Sequence, residues 1–172
     1  ANNKLSGINE VKNKQLLLRK KTNNIEEIQL IENEVWLLNT NEGVKVTDSE
    51  FRNTQLVHSE LKSERIQDIY KDKTNSIWIA SANKGLFKFA KNNFEHFSTK
   101  NGLSNNKINA LVPQGRNLWI ATGDQGIQKK IGNRFFNLKI EELQNTTVKS
   151  IAIDSSKNIW LGTENRGLLL LK

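Results

Sequence analysis

The apolar positions of the chain fall into one unit that recurs four times. Each unit opens with two aliphatic residues three apart: Ile25 and Ile28, Ile66 and Ile69, Ile108 and Leu111, Val148 and Ile151. A polar turn follows, then a bulky triplet centred on tryptophan: Val35-Trp36-Leu37, Ile77-Trp78-Ile79, Leu118-Trp119-Ile120 and Ile159-Trp160-Leu161. Seven residues after each tryptophan comes a glycine, Gly43, Gly85, Gly126 or Gly167, followed by a further apolar residue. All four tryptophans of the chain occupy this slot, spaced by 42, 41 and 41 residues. A period near 41 residues points to a propeller or another stacked array.

The opening pair resembles a turn of helix, but its first member is β-branched in all four units and turn residues intervene before helical length is reached. The slot therefore predicts strand a, with its apolar residues on both faces. Asp72 to Ser76, Gln114 to Asn117 and Asp154 to Asn158 supply turns whose Asp and Asn side chains bond nearby backbone. The tryptophan triplet predicts strand b, covered on both faces. Small residues follow it (Ala80-Ser81, Ala121-Thr122, Gly162-Thr163) and let a neighbouring backbone approach. Each glycine is predicted to take a positive φ before strand c, which runs Leu86 to Phe89, Ile127 to Lys130 or Leu168 to Leu171. Strand d, at Phe51 to Val57, Phe94 to Phe97 and Phe135 to Leu138, alternates and carries more charge, as an edge strand does. The links His58 to Arg65, Ser98 to Lys107 and Lys139 to Thr147 are polar.

The predicted fold is all-β: one β-propeller domain over 1–172, of about four four-stranded antiparallel blades. Residues 1–22 end a preceding blade, with Gly7-Ile8 as its glycine–apolar pair and Gln15 to Leu18 as an outer strand; Arg19-Lys20-Lys21 reads as a solvated loop. Blades follow at 23–63, 64–105 and 106–146, and 147–172 is a blade without strand d. Four blades is the low end for a ring, so the chain is expected to be part of a larger propeller or a half completed by a second copy.

The length suffices for a sizeable core. With no cysteine, disulfides and thiolate metal sites are ruled out, and no apolar run reaches the length of a membrane span. The start at Ala1 without a signal-like segment reads as a mature or trimmed piece. The net charge of +8 suits nucleic acid, acidic glycans or anionic lipid. The basic residues are dispersed, however, and the tryptophans that would stack on bases are needed in the core, so neither nucleic acid nor membrane is expected as a partner of this segment.

Asn158-Ile-Trp-Leu-Gly-Thr163 with Gly167-Leu168, and Asn117-Leu-Trp-Ile-Ala-Thr122 with Gly126-Ile127, resemble the repeats of the two-component regulator propeller. Asn101-Gly-Leu-Ser-Asn105 before Ile108 is similar to the link of that family, and the resemblance runs along nearly the whole chain. It weakens in the first unit, where Leu38-Asn39 replaces Gly-Thr. The resemblance implies the periplasmic sensor region of a bacterial hybrid two-component histidine kinase, with sensing of oligosaccharides and control of polysaccharide-use genes. The kinase itself is not in this chain.

Candidate chemistry is sparse. His58 and His96 lack carboxylates at metal-ligand spacing. Glu26-Glu27 and Glu141-Glu142 are sequence neighbours, and on a strand they face opposite ways. Gly123 and Gly126 do not make a dinucleotide fingerprint, and Asn145-Thr-Thr147 matches a glycosylation sequon by pattern only. No catalytic residue, metal or cofactor is expected. Trp36, Trp78, Trp119 and Trp160, with Gly43, Gly85, Gly126 and Gly167, are assigned to the structural core. Binding is expected on the loops between strands b and c, which gather on one propeller face. These loops include Asn41-Glu42, and the candidate ligand-binding residues are Asn83, Lys84, Asp124, Gln125, Asn165 and Arg166. Their amides and charges suit an oligosaccharide, an acidic one if the net charge matters. Two alternatives stand beside that reading: a propeller used only for protein assembly, and a propeller lyase or glycosidase.

Overall fold

The computed structural model describes residues 8–12, 15–20, 25–31, 33–39, 42–48, 50–90, 93–123 and 126–172. The chain divides into two compact units, Ala1–Ile66 and Gln67–Lys172. In the first, β1 (Ile8–Lys12) and β2 (Gln15–Lys20) form an antiparallel hairpin. β3 (Ile25–Ile31), β4 (Glu34–Asn39), β5 (Gly43–Asp48) and β6 (Gln55–Leu56) form an antiparallel sheet in chain order. The second unit begins its sheets with β7 (Ile66–Lys71), β8 (Ile77–Ser81), β9 (Leu86–Ala90) and β10 (Asn93–Phe97). It continues with β11 (Ile108–Gln114), β12 (Asn117–Thr122), β13 (Ile127–Ile131) and β14 (Arg134–Leu138). β15 (Val148–Ile153), β16 (Ile159–Thr163) and β17 (Leu168–Leu171) make a three-stranded sheet. Each sheet is a meander of neighbouring strands, the blade of a propeller.

In the second unit the first strands of successive sheets meet. Leu111 N donates to Asp68 Oδ2 at 2.8 Å, and Asn109 Nδ2 donates to Val148 O at 2.7 Å. Between the sheets the core repeats in register. Trp78, Ala80 and Leu86 pack with Ile108, Leu111, Leu118 and Ile120, and Trp119, Ala121 and Ile127 pack with Val148, Ile151, Ile159 and Leu161. Each fully buried aliphatic side chain contributes about 1.5–3 kcal/mol, so these faces carry most of the cohesion. Trp36, Trp78 and Trp119 are 4–6% exposed, whereas Trp160, on the last sheet, is half-buried.

The indole nitrogens explain part of the turn chemistry. Trp78 Nε1 donates to Asp72 Oδ2 at 2.8 Å, Trp160 Nε1 to Asp154 Oδ2 at 3.1 Å and Trp119 Nε1 to Gln114 Oε1 at 3.0 Å. Thus the residue that opens each turn also satisfies the indole behind it. In the first sheet, where the repeat is loosest, the buried Trp36 Nε1 has no hydrogen-bond partner among the described residues. Gly43, Gly85, Gly126 and Gly167 all have positive φ. At Gly43 and Gly85 the space is closed as well, since an added Cβ would lie 2.1 Å from Leu61 O and 2.2 Å from Phe97 O.

Three details depart from the sequence reading. Strand d of the first sheet is only Gln55–Leu56, not Phe51 to Val57. The Asp48 carboxylate accepts from the backbone nitrogens of Glu50, Arg52 and Asn53 at 3.1, 2.9 and 3.3 Å and winds this stretch into a turn, with Phe51 at φ 57°. The polar links each contain a one-turn 3-10 helix, at Ser59–Leu61, Thr99–Asn101 and Glu141–Leu143, and each buries a leucine: Leu61, Leu103 and Leu143. Glu141 and Glu142 therefore lie in a helical turn, not on a strand. Finally, strand a of the first sheet is not covered on both faces: Ile28 and Leu30 are 48% and 77% exposed.

Candidate functional site: the loops between strands b and c

In the last three sheets the hydroxyl residue that ends strand b bonds into the loop that follows it. Ser81 Oγ accepts from Asn83 N at 3.1 Å and Lys84 N at 2.8 Å, and Thr163 Oγ1 accepts from Arg166 N at 3.0 Å while donating to Gly167 O at 2.8 Å. Thr122 Oγ1 donates to Gly126 O at 3.3 Å in the middle loop. The small residue after strand b is thus needed for its hydroxyl as well as its size.

The loops are tied to the links that precede strand a. On the link 98–107, Asn106 O accepts from Gly85 N and Lys107 O accepts from Gly123 N, both at 2.8 Å, so one link holds the loops of two successive sheets. On the link 139–147, Leu143 packs beside Gly126, and Thr147 O accepts from Glu164 N at 2.9 Å. Arg166 Nη2 donates to Gln144 O at 3.3 Å and Asn165 Nδ2 to Asn145 O at 3.5 Å, while Thr146 Oγ1 donates to Asn165 Oδ1. Glu164 pairs with Lys149 at 2.9 Å, and that contact, with Thr147's, holds its carboxyl below the ordinary range.

Two clefts open along this second link. One, of about 660 Å³, is lined by Gly126, Asn137, Lys139, Glu141, Gln144 and Asn145, among others. The other, of about 220 Å³, is lined by Asn145, Thr146, Thr147, Glu164 and Asn165. Asn145 belongs to both. The surface is rich in amides and hydroxyls, each able to donate or accept, and suits a ligand carrying many hydroxyls.

Of the candidate residues, Asn165 lines the smaller cleft, and Arg166 is bonded to Gln144, which lines the larger. Asn83 and Lys84 are exposed on the loop of the β7–β10 sheet and line neither cleft. Asn41, Asp124 and Gln125 lie outside the described residues. The sequence reading overlooked Asn137, Gln144, Asn145 and Thr146, because it took the link only as a polar connection. It also overlooked Gln128, which is 1% exposed yet hydrogen-bonded to the other link: its Oε1 accepts from Ser104 N at 2.9 Å and its Nε2 donates to Gly102 O at 3.1 Å.

The histidines have local partners. His58 Nδ1 accepts from Glu60 N at 3.3 Å, and His96 stacks on Phe87 with ring centroids 4.4 Å apart and meets Lys84 O at 2.5 Å. Among the described residues no group of three or more His, Cys, Asp or Glu could hold a metal ion, and no helix is long and apolar enough to cross a membrane.

The profile of the two-component regulator propeller matches residues 60–83 and 142–165. Each match runs from the 3-10 turn through strands a and b and ends in the loop just described. No curated protein matches the sequence. Among solved structures, the chain is similar to the extracellular domains of two hybrid two-component systems of B. thetaiotaomicron. It is 20% identical to one, with a TM-score of 0.70, covering 88% of this chain and 21% of that domain. It is 17% identical to the other, with a TM-score of 0.74, covering 97% and 26%. It is also similar to PorZ, a surface component of the type-IX secretion system of Porphyromonas gingivalis, at 14% identity and a TM-score of 0.70, covering 97% of this chain and 30% of PorZ. The chain thus spans between about a fifth and a third of the length of these proteins. It has a β-propeller fold, and two of its stretches match the profile of the two-component regulator propeller.

Proposed function

We propose that this chain is a non-enzymatic sensor segment of an extracytoplasmic, two-component signalling protein, and that it binds an oligosaccharide on the face of the b–c loops. The observation that carries the reading is the pair of adjoining clefts that share Asn145 and are walled by amides, hydroxyls and the Asn165–Arg166 loop. The repeat match and the likeness to extracellular domains of hybrid two-component systems support a periplasmic setting, a histidine kinase elsewhere in the parent protein and control of polysaccharide-use genes. Binding would be read out by these loops, since the links that hold them also lead into the next blade.

Titration of the purified protein with neutral and acidic oligosaccharides tests the reading, with Asn165→Ala and Arg166→Ala in parallel. The expected outcome is saturable binding, weakened about tenfold or more by each substitution. Binding that both variants leave unchanged, or no binding across the panel, overturns it.

A second reading, assembly through the propeller surface, is favoured by Leu168. It is 66% exposed, whereas Val44, Leu86 and Ile127, the residues that also follow the repeat glycine, are 0% exposed.

A further inference from the structure

The turns between strands a and b bound a third cleft, of about 620 Å³, formed where the β7–β8 turn and the β11–β12 turn come together. Its lining includes Tyr70, Asp72, Lys73, Trp78, Arg116 and Leu118. None of the loop residues considered above contributes to it.

Its polar groups are unevenly matched. The one carboxylate, Asp72, is committed to its own turn: Oδ1 accepts from Thr74 N at 2.7 Å, Thr74 Oγ1 at 2.6 Å and Ser76 N at 3.0 Å, and Oδ2 accepts from the Trp78 indole. Burial alone would raise its pKa, but these bonds outweigh burial and keep it below the ordinary carboxylate value. The phenol of Tyr70 is pushed the other way, by burial and then by the charge of Asp72, and so remains a neutral donor. The other polar side chains of the lining are Thr74, whose hydroxyl is bonded to Asp72 and Ser76, the Asn117 amide, and two cations that only donate, the Lys73 ammonium and the Arg116 guanidinium. Two cations against a single, already engaged carboxylate call for an acceptor-rich, negatively charged ligand. The planar fork of Arg116 favours a carboxylate.

The apolar part of the wall is particular to this cleft. Trp78 is largely buried and carries the ammonium groups of Lys88 and Lys130 near its ring, at 5.3 and 5.1 Å, so it is poorly placed to stack on a ligand. Tyr70 is only half-buried. It lies four residues into strand a, where the other sheets have Gln29, Val112 and Ala152 facing Trp36, Trp119 and Trp160. The repeat therefore does not require an aromatic residue here. At Gly115, beside Arg116, nothing lies within 4 Å of where a Cβ would stand, so the turn is open outward.

We infer that this cleft is a second binding site, for a carboxylate carried on a six-membered ring, with the carboxylate held by Arg116 and Lys73 and the ring lying on Tyr70. Such a group occurs as a uronic acid residue of a glycan or as a free aromatic acid. The test is amide chemical-shift mapping of the protein with digalacturonate, benzoate and, as a neutral control, galactobiose. Saturable shifts at residues 70–78 and 115–118 with either acid, weakened by added salt, are expected, and the acid that binds identifies the source. Arg116→Gln and Lys73→Gln, both on exposed turns, should each weaken binding about fivefold or more while leaving the remaining amide spectrum unchanged. Tyr70→Leu should weaken both acids if the ring packs on the phenol. The inference is overturned by absence of saturable shifts at these residues up to about 10 mM, by equal binding of galactobiose, or by affinity that survives loss of both cations. Shifts confined to 139–147 and 164–166 would overturn it while supporting the oligosaccharide site on the other loops.

Discussion

Asp72 shows how much a single side chain of the repeat carries. It shapes the a–b turn, satisfies the indole of Trp78 and has both carboxylate oxygens engaged within its own sheet. Its folded pKa is lowered relative to that in the unfolded chain, so its contribution to stability is fully present above the unfolded value, about 3.9, and is lost as pH falls through the folded value. Asp154, bonded to Asn158 and then to Trp160, shifts in the same direction. Replacing Asp72 by Asn should therefore cost about 1 kcal/mol near neutral pH, and the gap from the parent protein should shrink toward pH 2. Urea unfolding of both proteins at several pH values checks this; a gap that does not change with pH refutes it. The spacing was there to be seen, since Asp72 and Asp154 both stand six residues before their tryptophans. Its meaning was not, because an indole bond across a turn leaves no trace in hydropathy.

The strands themselves are legible, and the connections far less so. A β-branched or aliphatic pair, a tryptophan triplet and a glycine locate strands a and b in all four sheets and strand c in the last three, although strand a runs two or three residues past its apolar pair. Strand d of the first sheet is misjudged because the carboxylate of Asp48 captures three amides, a local competition that apolar patterning does not register. The links are misjudged for the opposite reason: Leu61 and Leu103 are lone apolar residues in polar stretches, Leu143 has only Ile140 beside it, and only the folded links show that the three leucines are buried. Of the residues around the two clefts, Asn165 and Arg166 were candidates from sequence, whereas Asn137, Gln144, Asn145 and Thr146 were not. Gln128 is the sharpest case, a buried amide on strand c that ties down the link 98–107. Gln128→Leu should cost about 1–3 kcal/mol. It should speed hydrogen exchange at the Ser104 amide while the amides of β12 keep their protection relative to global unfolding. Uniform acceleration at both places would show that the link has no separate stability.

At the scale of the molecule, the residues that would be buried by a further blade are left open. Leu168 and Leu170 on the last sheet are 66% and 40% exposed, and Ile28 on the first is 48% exposed where Ile69, Leu111 and Ile151 are buried. Such faces are expected to draw in a second copy. Light scattering near micromolar concentration should find the chain heavier than a monomer, and Leu168→Lys, which places a charge on the face, should lower that mass. An identical mass for both proteins would place the contact elsewhere. Two neighbouring carbonyls have a different kind of reach. The Asn106 and Lys107 carbonyls belong to successive planar peptides joined at the Lys107 Cα, and each holds the loop of a different sheet. Drawing either loop outward swings its peptide plane about that shared Cα and pulls on the plane that holds the other. These two repeats are thus yoked through a single backbone residue, and a displacement at one loop is handed to the other through two adjoining peptides.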